Sequence, residues 1–401
     1  MPVKSCALCK SETLAPVIDL GEHPLADTFV REQEAARSLP RYPLTVFRCV
    51  ACGHVMNGFR VPPEKRYQEQ EYSYDSSNSK IAEDHFDAFA QSIGSFAHLG
   101  TDDLVVDIGG NVGTLLSSCK KKYGSRVLNV EPAKNIVTIA EKNGVPTLER
   151  FWDTEAAQHI KKDGGAAVIT ATNVFNHIDD IDAFFANLEE ALQEDGVFVA
   201  EVPYFATLIE RDAFDTMYLE HVSYFSVGPL KRYLAEKNFR IMRIEKSEYM
   251  GGSITFFIGK GEESHEVNEY IGKEEEMGLY AEQAYTDFRA RVQKLKESLL
   301  SELREAKAGK GIIVGIGAAT KGNTLLNYCG IDSSLVSYIT DASPLKIGKY
   351  TPGSAIPIRP DTEITEDVTH AVVLAWNIAE YLTQKIAASH PHLRFIVPHM
   401  A

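Results

Sequence analysis

The sequence predicts an α/β protein in three parts: a small metal-binding module, a doubly wound parallel-sheet domain, and a second α/β unit behind a helical connector. Three observations carry this. Two Cys-x-x-Cys pairs lie within the first 52 residues. Apolar runs of strand length alternate with helical patterns from residue 104 to about 260, and the first run leads into a glycine-rich turn. A second strand and glycine turn begin at Gly311. Such alternation implies a parallel sheet with both faces covered, and 401 residues suit about two or three domains.

Residues 1–65 form the first module. Cys6-Ala-Leu-Cys9 and Cys49-Val-Ala-Cys52 are two knuckles that each aim two thiolates at one point. Together Cys6, Cys9, Cys49 and Cys52 complete a tetrahedron around Zn²⁺, and four thiolates leave no open position, so the zinc is expected to be structural. Cys119 and Cys329 stand alone. His23 and His54 read as surface or supporting residues. Pro62-Pro63 closes the module. Tyr67 to Asn78 has neither helical nor strand period and reads as a loop, yet holds Tyr67, Tyr72 and Tyr74. Ile81 to Phe96 is an amphipathic helix.

The domain over 66–260 is built on Leu104-Val-Val-Asp-Ile-Gly-Gly-Asn-Val-Gly113. A strand ends in Asp107, Gly109 and Gly110 let the backbone turn tightly, and a helix start beyond Gly113 offers free N–H groups. The next strand, 126–130, ends in Glu131. An acid about 20 positions after a glycine turn holds both hydroxyls of a ribose. The spacing Gly109, Gly110, Gly113 lacks the dinucleotide fingerprint, so this turn suits S-adenosylmethionine better than NAD. A short strand at Pro146-Thr-Leu precedes Trp152 and Asp153, placed to edge and stack an adenine. Strand 166–171 leads to Asn173-Val-Phe-Asn-His177, and strand 197–202 ends in Glu201-Val-Pro-Tyr204. Ligands of such sheets gather outside the carboxyl ends of the strands. Asp107, Gly109, Asn111, Glu131, Asp153 and Asn173 are therefore the cofactor candidates. Tyr218, Glu220 and His221 crowd one short segment, where a carboxylate or phenol beside a histidine tunes it for proton transfer.

Residues 261–308 are helical and charged. Phe288, Val292, Leu295, Leu299 and Leu303 make a single apolar stripe. A connecting helix packed between domains is expected, with a coiled-coil dimer as the alternative. The unit over 309–401 begins Ile312-Ile-Val-Gly-Ile-Gly-Ala-Ala-Thr-Lys-Gly-Asn323. Its turn is not a P-loop, but its N–H groups and Lys321 suit a diphosphate. Lys346, Lys349 and Arg359 add positive charge locally.

Net charge is −15, which disfavours a nucleic-acid partner. No apolar run reaches membrane-spanning length and no signal core opens the chain. A cytoplasmic protein, monomeric or weakly dimeric, is expected.

Taken in order, the cysteine pairs, Asn-Val-Phe-x-His, Tyr-x-Glu-His-x-Ser-Tyr-Phe, Gly-Gly-Ser and Gly-Ala-x-x-Lys-Gly-Asn resemble the nucleotide-sugar C-methyltransferases over essentially the whole chain. The resemblance implies a class I S-adenosylmethionine-dependent methyltransferase domain, Rossmann-like, between a zinc-binding module and a C-terminal Rossmann-like domain that holds the nucleotide sugar. It implies a nucleoside-diphosphate 4-keto-6-deoxyhexose as substrate, usually dTDP-linked, methylated beside the keto group, normally at C-3. Position by position, the family's catalytic set falls on Tyr72, His177, Tyr218, Glu220 and His221. Tyr204, Lys321, Asn323, Lys346 and Arg359 are the substrate-binding candidates. Where family members often carry Asn-Asp-Gly this chain has Val112, and Leu219 and Met250 stand where histidine is common. The alternatives are an NAD-dependent nucleotide-sugar oxidoreductase or epimerase, and an O- or N-methyltransferase.

Overall fold

The computed structural model describes residues 1–69, 71–77 and 79–398. Gln70 and Asn78 of the expected loop, and residues 399–401 of the tail unit, lie outside the described residues. In the first module β1 (Leu14–His23), β2 (Tyr42–Cys49) and β3 (Val55–Asn57) form an antiparallel sheet. Beside it the four cysteine sulfurs lie within 4.8 Å of one another. Cys6 and Cys52 Sγ are 3.5 Å apart, as are Cys9 and Cys49. Tetrahedral Zn–S bonds of about 2.3 Å require sulfurs about 3.8 Å apart, so the four thiolates fit Zn²⁺ and would fill its coordination sphere. Gly53 turns the second knuckle at φ +81°, and a Cβ there would meet the Tyr280 ring at 2.6 Å. His54 is fully buried, not at the surface, with Nε2 3.2 Å from Ser223 Oγ.

The central sheet holds β4 (Leu104–Ile108), β5 (Arg126–Glu131), β6 (Thr147–Glu149), β7 (Ala166–Thr172) and β8 (Leu192–Pro203), all parallel. The chain then leaves it: β9 (Ser223–Tyr224) pairs with β3 of the first module, through Val55–Tyr224 and Met56–Ser223. It returns as β10 (Arg240–Ser247) and β11 (Ser253–Gly259), antiparallel to each other, with β11 antiparallel to β8. The order β6-β5-β4-β7-β8-β11-β10 is the class I methyltransferase arrangement. The strand order reverses at β4, so a crevice opens at the carboxyl ends of β4 and β7. β4 is buried at every position, as a strand covered on both faces must be. The helix Lys80–Ala97 covers one face with Phe86, Phe89, Ala90 and Ile93, spaced to share one side, against Val105, Leu115 and Leu116. Ser79 caps it by accepting from Ala82 N at 3.2 Å.

The connector is two helices, Glu266–Glu276 and Glu282–Ala308. Tyr285, Phe288, Val292, Leu299 and Leu303 of the second are buried within the chain. That corrects the coiled-coil alternative, because the apolar stripe is already covered. β12 (Ile312–Ile316), β13 (Ile339–Asp341), β14 (Ile358–Pro360), β15 (Val368–Val373) and β16 (Arg394–Ile396) make a parallel sheet in the order β14-β13-β12-β15-β16. Among the described residues no helix is long and apolar enough to cross a membrane.

Glu274 fastens the connector to the central domain. It is fully buried and accepts from Tyr204 Oη at 2.8 Å, Val227 N at 2.6 Å, Gly228 N at 3.1 Å and the Tyr280 hydroxyl. Glu274→Leu leaves these donors without an acceptor, each at about 1–3 kcal/mol. The expected loss is about 3 kcal/mol or more in urea unfolding. Zinc removal by chelation is expected to open residues 1–60, read as fast amide hydrogen exchange; protection kept after complete stripping would contradict a structural metal.

Candidate active site

A cavity of about 1250 Å³ runs from the β4 turn to the C-terminal sheet. At one end lies the glycine turn. Gly109 has φ +61°, and a Cβ on it would come 2.7 Å from Val174; one on Gly110 would come 2.7 Å from the Asp107 carboxylate. Close packing of strand and turn, as much as conformation, demands glycine there. Glu131 Oε1 accepts from Ala133 N at 2.9 Å and Oε2 from Asn111 N at 3.3 Å. A carboxylate has about four acceptor positions, so about two remain for a ribose diol. Burial pushes its pKa up to about 7. Asp107 is also raised to about 7 by burial, and accepts from Thr170 Oγ1 at 2.7 Å. Asn111 and Asn173, at φ 53° and 55°, line the cavity too. Val112 instead packs against Ala133 and Ile136.

Asp153 departs from expectation. Its carboxylate caps the helix Thr154–Lys162 through Ala156 N at 2.9 Å and pairs with Arg150 at 2.8 Å. Phe151 and Trp152 line the cavity and Asp153 does not. A helix start claimed the side chain that the motif reading offered to adenine.

In the middle of the cavity stand Tyr72, His177, Tyr218, Glu220 and His221. His221 Nδ1 lies 2.8 Å from Thr216 O. A carbonyl only accepts, so Nδ1 carries the proton and the lone pair sits on Nε2. Burial lowers the ring's pKa to about 3, keeping it neutral. The Tyr218 ring lies 3.8 Å from it, centroid to centroid, and His177 4.9 Å. His177 Nδ1 is 2.7 Å from Tyr67 Oη, while its Nε2 is buried without a hydrogen-bond partner. Burial, then the neighbouring His221, hold His177 well below the usual range. Tyr72 and Tyr218 are pushed well above theirs, mainly by burial, so both phenols stay protonated donors. Glu220 is raised to about 7 by burial; Oε1 accepts from Asp27 N at 3.0 Å, and Oε2 is buried with no partner.

At the far end two substrate candidates line the cavity. Lys321 Nζ is buried without a hydrogen-bond partner, 3.9 Å over the Trp376 ring, and desolvation lowers it to about 8. Lys346 Nζ donates to Ala318 O at 2.8 Å, on the second glycine turn. The other three do not line it. Tyr204 follows β8 and its hydroxyl is held by Glu274. Asn323 Nδ2 donates to Ala26 O at 2.7 Å, tying the first module down. Arg359 is half exposed, stacked on Tyr338 at 4.5 Å and 3.9 Å from Glu363.

Sequence reasoning missed Asp27, Arg66 and His85, the last of which partners Glu201, a residue it had placed only at a strand end. Arg66 donates to His177 O at 3.0 Å and pairs with Asp179. His85 Nε2 lies 2.8 Å from Glu201 Oε2 and stacks on Tyr249 at 3.7 Å. Asp27, Arg66 and His85 sit in no motif; only the tyrosine-bearing stretch 67–78 between Arg66 and His85 marked their surroundings.

Comparisons with known proteins cover the same three parts. A model described as "Putative zinc binding domain" matches residues 6–67, a methyltransferase domain matches 81–244, and a C-methyltransferase C-terminal domain matches 248–398. C-methyltransferase NovU of Streptomyces niveus is 30% identical over 99% of this chain and 96% of its own. Among solved structures, magnesium protoporphyrin IX methyltransferase of Synechocystis PCC 6803 with bound SAH shares 14% identity over 47% of this chain and 90% of its own, with a TM-score of 0.36. An S-adenosylmethionine-dependent methyltransferase from Clostridium acetobutylicum shares 14% over 47% and 93%, with a TM-score of 0.34. With a relative of that identity along nearly its entire length, the chain belongs to the C-methyltransferase family.

Proposed function

We propose that the protein moves a methyl group from S-adenosylmethionine to C-3 of a nucleoside-diphosphate 4-keto-6-deoxyhexose, through an enolate, in deoxysugar biosynthesis. One observation supports this most: a single cavity joins the β4 turn, the Tyr–His–Glu–His cluster and the second glycine turn. Membership of a C-methyltransferase family sets aside the nicotinamide oxidoreductase alternative.

S-adenosylmethionine, when bound, supplies an electrophilic methyl group. Glu131 would hold its ribose hydroxyls, and Phe151 and Trp152 would wall its adenine. A carbon beside a ketone becomes nucleophilic only when its proton leaves and charge spreads onto oxygen. His221 takes that proton at Nε2. Its imidazolium then forms next to the new enolate, whose charge offsets the desolvation that otherwise keeps the ring neutral. Tyr218 and His177 donate to the enolate oxygen, with Tyr72 close to the sugar. Such preorganised donors each contribute about 10²–10³ in rate. The free Oε2 of Glu220 takes a sugar hydroxyl. Lys321, a buried ammonium without a hydrogen-bond partner, and Lys346 face the anionic end.

Incubation with S-adenosylmethionine and a panel of 4-keto nucleotide sugars is expected to add one methyl, read by mass spectrometry; no gain on any keto sugar would overturn the reading. His221→Asn is expected to lower kcat by at least about 10²-fold while S-adenosylhomocysteine still binds normally. The carboxylate form of Glu131 binds the diol, and its pKa lies near 7 in the free protein. Affinity for S-adenosylhomocysteine should therefore rise about tenfold from pH 6 to pH 8, by calorimetry, and Glu131→Gln should bind weakly with no such slope.

A further inference from the structure

We infer that Asp27 is a positioning residue for this site, which makes the metal-binding module a working part of the catalytic apparatus. The inference rests on the reading of Tyr72 and Glu220 above. Asp27 lies beyond the end of β1, 9% exposed, at the cavity wall. Its Oδ1 accepts from Ser73 Oγ and from Thr320 Oγ1, both at 2.8 Å. Its Oδ2 accepts from Ser73 N at 3.2 Å, and its own N–H donates to Glu220 Oε1 at 3.0 Å. One residue thus meets the aromatic loop, the C-terminal unit and the catalytic segment.

The geometry gives each contact a task. Ser73 sits between Tyr72 and Tyr74, and both tyrosines line the cavity. Holding Ser73 by its N–H and its hydroxyl sets where Tyr72 enters. The same loop is tied at the cofactor end, where Asn111 accepts from Ser76 N and donates to Tyr74 O, each at 3.0 Å. The loop is therefore pinned from both binding regions. Glu220 has one oxygen fixed by Asp27 and one left for ligand. The segment bearing Asp27 is itself docked on the C-terminal unit, through Asn323 to Ala26 O and Tyr350 N to Val30 O at 2.7 Å each.

The test uses the full zinc-loaded chain with Asp27→Asn, Ser73→Ala and the double variant. In Asp27→Asn an amide N–H faces the Ser73 N–H or the Thr320 hydroxyl, so the three acceptor contacts cannot all persist. Amide exchange of residues 71–77, with S-adenosylhomocysteine bound, should quicken at least about tenfold while the central sheet stays protected. With an active keto sugar, kcat should fall about 10²-fold with KM for S-adenosylmethionine unchanged, and Ser73→Ala should cost little more on top of Asp27→Asn. Unchanged exchange in the loop, or fully additive losses, would overturn the inference. Quickened loop exchange in a protein whose wild type methylates no keto sugar would leave Asp27 as the loop's anchor and refute the substrate reading instead.

Discussion

Burial of its titratable side chains is the constraint on which the site depends. His221 and His177 are neutral because burial penalises their charged forms, and Tyr72 and Tyr218 keep their protons for the same reason. Glu131, Asp107 and Glu220 are pushed toward neutrality by the same cause. A neutral histidine with a free Nε2, beside protonated phenols, is a resting state ready to receive a proton and stabilise an anion. In water these groups would hold ordinary pKa values and lose that division of roles.

Burial of this kind needs walls from every part of the chain. The class I sheet supplies only the floor, since its strands end at one edge and leave the crevice open above. The first module closes one side, through β9 added to its sheet and through Asp27. The C-terminal unit closes the other with Thr320, Lys321 and Lys346. Glu274 and the helix Glu282–Ala308 hold these walls in place, the helix through Arg289 to Pro16 O, Arg291 to Asp212 and Lys296 to Tyr328 O. A zinc centre remote from the chemistry then has an evident use: it gives a small module, too small for a large core, the rigidity to carry one wall.

Local pattern alone carried much of this. The period of apolar residues marked β4, β5, β7 and β12 and the connector helices, because strands and helices bury faces with different periods. The cysteine spacing announced the metal, and the glycine turn with Glu131 marked the end of the cavity where the cofactor is proposed to sit. Glycine, cysteine and strand-end acids act through local geometry, so they are legible without a fold. What failed were side chains with two available partners. Asp153 went to a helix cap, Tyr204 to Glu274, and Asn323 to Ala26 O, each claimed by a neighbour the sequence does not show. Asp27 was invisible for the same reason, since its partners lie 46, 193 and 293 positions away. The residues by themselves determined which chemistry was on offer. Only the tertiary structure decided which groups are desolvated together, because the cavity's walls come from every part of the fold and no stretch of chain builds them alone.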